Sequence, residues 1–227
     1  MIFKIILPTF IKKGRRLKNI LIIQLSRIGD IVQTAPLTAN IKHYYPRSHI
    51  AMVCVEEFSS TVSLFPHIDH CLGIPAKLAH RLKILTKPNP ELLRQIFLEA
   101  NITQGYDLLI NCNLELGVAF LAADIKATNK QGRIYHPSIP MFINGDWGKY
   151  LFAFTQFRTQ NLFNMADIYT GMAQMPTLEK KSWYNLSKND KSKAGELLIK
   201  NGYDENKKTV IIQPGSSKKS RSWGVDN

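Results

Sequence analysis

Two polar segments, each directly after an apolar run of strand length, carry the residue types that could do chemistry. The first is Ser26-Arg27-Ile28-Gly29-Asp30, which follows the run at 20–23. Ligands bind at the carboxyl ends of parallel strands, and Gly29 would let the backbone approach one closely. Asp30 has two interpretations. It caps a helix that starts at Ile31, or its carboxylate takes a proton from a substrate hydroxyl, and both can hold at once.

The second segment, Gln213 to Trp223, follows an apolar run at 209–212. Its small residues free backbone N–H groups, two hydroxyls can donate, and three cationic side chains add positive charge, which together suit a diphosphate. These side chains are Ser216, Ser217, Lys218, Lys219 and Arg221. The Gly-x-x-x-x-Gly-Lys spacing of a P-loop is missing, so the alternative is a solvated basic turn.

The elements that must position these segments follow from four apolar runs separated by helix-length stretches. The runs lie at 20–23, 50–55, 107–110 and 209–213, and they predict strands buried on both faces. Helices are predicted after Asn89, over 114–123 and 165–175, and from Ser187 to about Asn201 with Gly202 as the stop. Strands that alternate with helices predict a parallel α/β sheet.

The order of the motifs resembles that of the heptosyltransferases, glycosyltransferase family 9. A strand leads into Gly29-Asp30 near the start, and a later strand leads into Pro214-Gly215-Ser216-Ser217 with Arg221-x-Trp223. Between them lie four shorter matches, Thr34 to Leu37 with Tyr45-Pro46, Phe65-Pro66 with Ile68-Asp69, Tyr106 to Ile110, and the helix-to-strand passage Leu121 to Gly132. The resemblance runs from about Ile20 to Trp223.

The resemblance implies a GT-B enzyme, with two Rossmann-like domains on either side of a cleft. The first domain would hold the lipopolysaccharide inner-core acceptor, and the second a sugar nucleotide, typically ADP-heptose. The family inverts the anomeric centre and needs neither a metal nor another cofactor for transfer. The resemblance assigns the catalytic base to Asp30 within the cleft loop Ser26, Arg27 and Gly29. It assigns donor-phosphate binding to Ser216, Ser217, Lys218 and Arg221.

This sequence departs from the family pattern in two ways. Arg221 stands where the family commonly has lysine, which keeps the charge and changes the donor geometry. The sequence also ends at Asn227, soon after the phosphate segment. The expected organisation is a basic arm at 1–18, an acceptor-side domain at 19–176, a linker at 177–186, and an incomplete start of the nucleotide-sugar domain at 187–227. We therefore expect a truncated chain that is inactive alone.

The composition indicates what kind of partner and which cellular compartment to expect. Lys and Arg number 30 against 17 Asp and Glu, a net charge of +13 that favours anionic partners. The residues up to Lys18 combine an apolar stretch with a run of cations, so this arm either touches anionic lipid or is solvated. Three widely separated cysteines argue for a reducing compartment. We expect a cytoplasmic protein, with contact to the inner face of the inner membrane if the arm binds lipid.

Two rival functions use the same positive charge. A nucleic-acid-binding module is disfavoured because the cations are spread along the chain without a recognised motif, so no nucleic acid is expected. A non-catalytic remnant that binds anionic glycolipid or membrane stays open. The segment His67 to Cys71 holds metal-ligand residue types, but its spacing suits no common zinc pattern, so no metal is expected. The aromatic residues between Trp147 and Phe157 either pack in the core or stack on a ligand.

Overall fold

A computed structural model describes residues 17–102, 105–139, 141–176, 184–212 and 215. The chain divides into two compact units, residues 1–185 and residues 186–227. The first unit holds a six-stranded sheet, and the described part of the second holds one helix.

The sheet of the first unit is mostly parallel, which confirms the predicted α/β class. Its strands are β1 (Asn19–Ile23), β2 (His49–Val55), β3 (His70–Ile74), β4 (Tyr106–Asn111), β5 (Ala127–Arg133) and β6 (Ile143–Asn144). They lie in the order β3-β2-β1-β4-β5-β6. The neighbouring strands pair in parallel from β3 to β5, and only the short β6 is antiparallel to β5.

Eight helices accompany the described strands in this unit. They are α1 (Ile28–Val32), α2 (Ala35–Tyr44), α3 (Ser59–Val62), α4 (Ala76–Lys83), α5 (Pro90–Glu99), α6 (Leu116–Asp124), α7 (Asp146–Gln156) and α8 (Met165–Gly171). Short 3₁₀ turns occur at Glu56–Phe58 and Arg158–Gln160. In the second unit, α9 spans Lys188–Lys200.

The central strand β1 explains why the sheet has helices on both faces. Side chains alternate between the faces of a strand, so Leu21 and Ile23 pack into one core with residues of α4, α5 and α6. Ile20 and Ile22 pack into a second core with residues of α2, α7 and α8. All four side chains are completely buried. The continuous apolar run at 20–23 therefore reflects a strand that is buried on both faces.

Two predicted helix starts are confirmed by their caps. The Asn89 side chain accepts a hydrogen bond from the Leu92 backbone N–H at 2.9 Å. The Ser187 hydroxyl accepts one from the Asp190 N–H at 3.0 Å, at the start of α9. Gly202 follows that helix with a φ of +84°, a conformation that suits the predicted glycine stop.

Two predicted helix boundaries and one predicted strand are wrong. Helix α1 begins at Ile28, so Asp30 lies in its first turn and is not its N-cap. Helix α8 ends at Gly171, short of the predicted Met175, because its last turn tightens at Met172. Residues 209–212 form no strand. The described residues of the second unit include no strand that could pair with them, and their apolar side chains are exposed.

Glycine at position 117 lets two helices of the first unit approach closely. A Cβ on Gly117 in α6 would lie 1.6 Å from the backbone oxygen of Leu82 in α4. Any larger residue would push the two helices apart. This close approach fixes α4, and with it the side chains that α4 presents at the edge of the sheet.

Candidate active site

The candidate site lies where the strand order reverses. Strands β2 and β3 lie on one side of β1 in the strand order, and the chain then returns to place β4 on the opposite side of β1. In such open sheets the loops after the two strands diverge and leave a crevice at their carboxyl ends. Polar segments follow both strands here, Ser26 to Asp30 after β1 and Asn111 to Glu115 after β4.

Asn113 ties these two segments together. Its Oδ1 accepts a hydrogen bond from the Leu25 N–H at 3.0 Å and one from the Ser26 hydroxyl at 3.3 Å. Its Nδ2 donates to the Ile23 carbonyl at 2.8 Å. Asn113 is buried, and its own N–H donates to Asn111 Oδ1 at 3.0 Å. The loop after β1 is therefore fixed from the loop after β4.

Asp30 is half-buried at the mouth of this crevice. One carboxylate oxygen, Oδ2, accepts a hydrogen bond from the Arg27 N–H at 3.2 Å. That contact satisfies a backbone donor at the start of α1, where a negative charge is also favourable. Asp30 thus has a structural role that does not use its other oxygen. Position 29 is open, since a Cβ on Gly29 would meet no atom within 4 Å.

A cleft of about 470 Å³ opens beside Asp30. Its polar lining comes from three parts of the fold, the loop after β1, helix α4 and the start of α6, and consists of Ser26, Arg27, Asp30, His80, Lys83 and Glu115. The Lys83 ammonium donates a hydrogen bond to the Leu25 carbonyl, so α4 and the loop after β1 are joined across the cleft. The lining combines two acidic side chains with an arginine, a lysine and a histidine.

Glu115 is a site residue that the sequence reasoning missed, as are His80 and Lys83 of α4. Glu115 is the N-cap residue of α6 and lines the cleft with Asp30. Tyr169 of α8 is buried, and desolvation raises its pKa, with the carboxylates of Asp30 and Glu115 adding to the shift. Its hydroxyl therefore stays neutral beside the carboxylates. The usable signal for Glu115 was its place in the polar loop after the strand predicted at 107–110, as Asp30 follows the strand predicted at 20–23.

Arg133 supplies a cation near Glu115. It ends β5, and its guanidinium donates a hydrogen bond to the Leu114 carbonyl. Desolvation lowers the pKa of Arg133, and the Glu115 carboxylate opposes that shift. The Arg133 carbonyl in turn accepts from Asn111 Nδ2 at 2.7 Å. Strands β4 and β5 are thereby linked at the same edge of the sheet as the cleft.

Several predicted site residues lie outside the described residues. Ser216, Ser217, Lys218 and Arg221, the predicted donor-phosphate side chains, are among them, and so is the basic arm up to Arg16. The structure brings Ser26, Arg27 and Asp30 together in the cleft. Gly29 lies between them in the sequence, in α1.

The segment from His67 to Cys71 has a structural use. Asp69 Oδ2 accepts a hydrogen bond from the Ile50 N–H at 2.7 Å and pairs with the Lys42 ammonium at 2.9 Å. Desolvation raises the pKa of Asp69, but these two hydrogen bonds outweigh it and the pKa falls below its ordinary value. Among the described residues, no group of three His, Cys, Asp or Glu side chains has the arrangement of a metal site.

The clustered aromatic residues belong mostly to the packing of α7. Trp147, Tyr150 and Phe163 contact one another in edge-to-face geometry, with ring centroids 5.1 to 5.8 Å apart. Trp147, Tyr150 and Phe154 pack against the second core, whereas Phe157 is exposed. None of the helices in the described ranges is long and apolar enough to cross a membrane.

Two solved structures share the fold of this chain. The glycosyl transferase family 9 structure from Veillonella parvula DSM 2008 matches with a TM-score of 0.65 and 20% sequence identity, over 92% of this chain and 57% of that chain. The E. coli heptosyltransferase WaaC with ADP matches with a TM-score of 0.51 and 13% identity, over 72% of this chain and 50% of that chain. This chain therefore spans about half the length of these proteins.

At sequence identities of 20% and 13%, the similarity to these two structures establishes the fold of this chain and nothing finer. The predicted resemblance to glycosyltransferase family 9 is confirmed at that level, because the structural neighbours include members of this family. No protein-family model matches the chain, and no curated protein matches its sequence.

Proposed function

We propose that this chain is the acceptor-side half of a heptosyltransferase-like glycosyltransferase of family 9, with Asp30 as the general base. The observation that carries the proposal is the position of Asp30. It lines an open cleft at the point where the strand order reverses, in a fold shared with a family 9 glycosyltransferase. A carboxylate at this point can accept a proton from a bound hydroxyl.

The proposed reaction is a direct displacement. Asp30 removes the proton from an acceptor sugar hydroxyl while that oxygen forms a bond to the anomeric carbon of the donor. The bond from that carbon to the diphosphate breaks, and the electron pair leaves with the phosphate oxygen. Attack from the face opposite the leaving group inverts the anomeric centre, and the reaction needs no metal if cations and N–H groups stabilise the departing charge.

A nucleotide sugar is the proposed donor. ADP-heptose is the donor that the sequence resemblance favours, and one structure that shares the fold is a heptosyltransferase with ADP. We assign the diphosphate to Ser216, Ser217, Lys218 and Arg221, whose hydroxyl and cationic side chains suit it. The proposed domain organisation places these residues in the donor-side part, 187–227, joined by a linker at 177–186 to the acceptor-side part at 19–176.

The proposed acceptor is an anionic sugar of the lipopolysaccharide inner core. Arg27 and Lys83 line the cleft beside Asp30, and helix α4 adds Lys77 and Arg81 in the same two turns. These cations would attract carboxylate or phosphate groups of the acceptor, while Asp30 stays close to the hydroxyl that reacts. We propose that the basic arm adds a contact with the anionic inner membrane that carries this acceptor.

The test of this proposal joins the chain to a complete donor-side domain, because the matched region covers only about half of each structural neighbour. A fusion of residues 1–212 to the carboxyl-terminal half of the E. coli heptosyltransferase WaaC, whose structure holds ADP, would be incubated with ADP-heptose and a heptose-deficient core acceptor. We expect acceptor-dependent release of ADP and a product of inverted anomeric configuration. A folded fusion that binds the acceptor without any turnover would favour the non-catalytic glycolipid-binding remnant instead.

A further inference from the structure

Two cysteines on neighbouring strands form a close pair away from the Asp30 cleft. Cys54 lies on β2 and Cys71 on the edge strand β3. In the register of these parallel strands Cys54 lies opposite Gly73, and Cys71 lies opposite Met52. The two cysteines are therefore diagonal neighbours on one face of the sheet, and their Sγ atoms are 3.4 Å apart.

The two thiols differ in exposure and in the direction in which their pKa values are shifted. Cys71 is exposed, whereas Cys54 is completely buried. The Ser59 hydroxyl lies 3.9 Å from the Cys54 sulfur. A hydrogen bond from the Cys54 thiol lowers the pKa of Cys71 to about 6, while burial raises it and Ser59 contributes a further lowering. The same hydrogen bond, together with burial, raises the pKa of Cys54.

We propose that Cys71 and Cys54 form a peroxide-reactive dithiol site, in which Cys71 is the nucleophile and Cys54 the resolving thiol. An exposed thiolate is the form of cysteine that attacks small oxidants. A second thiol within contact distance then determines that the product is a disulfide and not a more oxidised sulfur. Nothing in this proposal depends on the sugar-transfer reaction.

The oxidation proceeds in two balanced steps. The Cys71 thiolate attacks one oxygen of hydrogen peroxide or an organic hydroperoxide, the O–O bond breaks, and the departing oxide takes a proton to become water or an alcohol. Cys71 is then a sulfenic acid. The Cys54 sulfur attacks the Cys71 sulfur, the S–O bond breaks, and water leaves with the Cys54 proton. Two thiols have lost two electrons and two protons, and the peroxide has accepted them.

The fold allows the pair to close. A disulfide requires the two sulfur atoms to approach to about 2.0 Å, and diagonal neighbours lie about 7–8 Å apart between strands, so closing the pair also requires a shift of the backbone. Strand β3 is at the edge of the sheet and is paired only with β2, which leaves it freer to move than a central strand. Gly73 also keeps β3 close to the turn that carries Ser59, since a Cβ there would lie 3.3 Å from the Ser59 hydroxyl.

Cys112 provides an internal control within the same chain. It is buried in the second core, and desolvation raises its pKa. A buried thiol with a raised pKa is inert towards peroxide. Selective oxidation should therefore consume Cys54 and Cys71 and leave Cys112 as a thiol.

The experiment treats the reduced full-length chain with one equivalent of hydrogen peroxide, counts the free thiols, and maps the disulfides by non-reducing digestion and mass spectrometry. We expect the free thiols to fall from three to one, with a single intramolecular link between Cys54 and Cys71. No loss of thiols, a link that includes Cys112, or links only between molecules would overturn the proposal.

Single substitutions separate the two roles. In Cys54→Ser, dimedone should trap a sulfenic acid on Cys71, and no intramolecular disulfide should form. In Cys71→Ser, an exposed substitution that should not disturb folding, peroxide should consume thiols on the order of tenfold more slowly than in the unchanged chain. Cys112→Ser should give the same disulfide as the unchanged chain. Oxidation of Cys71→Ser at the unchanged rate would refute the assignment of the nucleophile.

Discussion

Replacing Asn113 by alanine tests whether the loop after β4 holds the loop after β1. The substitution removes the acceptor of the Leu25 N–H and the donor to the Ile23 carbonyl, at 3.0 and 2.8 Å. The Ile23 carbonyl keeps the Cys112 N–H as a donor at 3.0 Å, but the completely buried Leu25 N–H loses its acceptor. An unsatisfied buried group costs about 1–3 kcal/mol, so the free energy of unfolding should fall by roughly that amount.

Equilibrium unfolding in urea measures this change. A slope of about 2 kcal/mol/M is typical of small proteins, so the urea midpoint should fall by about 0.5–1.5 M. The matched control is Asn144→Ala, since Asn144 also donates to a backbone carbonyl, that of Lys130 at 2.6 Å, but is exposed. Exposed substitutions of this kind change stability by about 0.5 kcal/mol or less. If the two variants unfolded at the same urea concentration, Asn113 would not hold the loop.

Three further predictions concern packing, pH and the arm. Gly117→Ala should destabilise the first unit by about 3 kcal/mol or more, since its Cβ would overlap the Leu82 oxygen, whereas Gly195→Ala in α9 meets no atom within 4 Å and should be neutral or stabilising. The lowered pKa of Asp69 contributes stability above its ordinary pKa of 3.8, so the destabilisation caused by Asp69→Asn should shrink in thermal melts as the pH falls below about 3.8. An unchanged difference at low pH would contradict this. Deleting residues 1–16 should weaken sedimentation with anionic vesicles, as should added salt; equal binding with and without the arm would place the membrane contact elsewhere.

The sequence predicted those strands whose burial is complete. The runs in β1, β2 and β4 are continuous and apolar because both faces of these strands are covered. Strand β5 is rich in polar residues, so family resemblance located it where the hydrophobic pattern could not. Strand β3 is short, lies at the edge, and is half exposed, so its residues carry little strand signal. Its formation depends on pairing with β2, a tertiary effect that local patterns do not contain.

Only the part of the candidate site that follows β1, with Asp30, could be predicted from the sequence. Asp30 could be found because it follows the strongest apolar run in the chain directly. Glu115 immediately precedes α6 and Lys83 lies in α4, and only the order of the strands and the contact of α4 with α6 bring them near Asp30. The run from 209 to 212 was assigned as a strand from its β-branched residues alone, and it has no pairing partner in the described structure.

The catalytic assignment of Asp30 is tested most directly by comparing two identical substitutions in the fusion enzyme. Asp30 and Asp190 both occupy the third position of a helix and accept or share capping contacts there, but only Asp30 lines the cleft. Asp30→Asn keeps the shape of the side chain and removes its basicity, so kcat should fall by about 10²–10⁴ with the fold intact. Asp190→Asn should leave kcat within about twofold, because loss of a cap costs only about 1 kcal/mol of stability. Equal, near-unchanged turnover in both variants would contradict the role of Asp30 as the base.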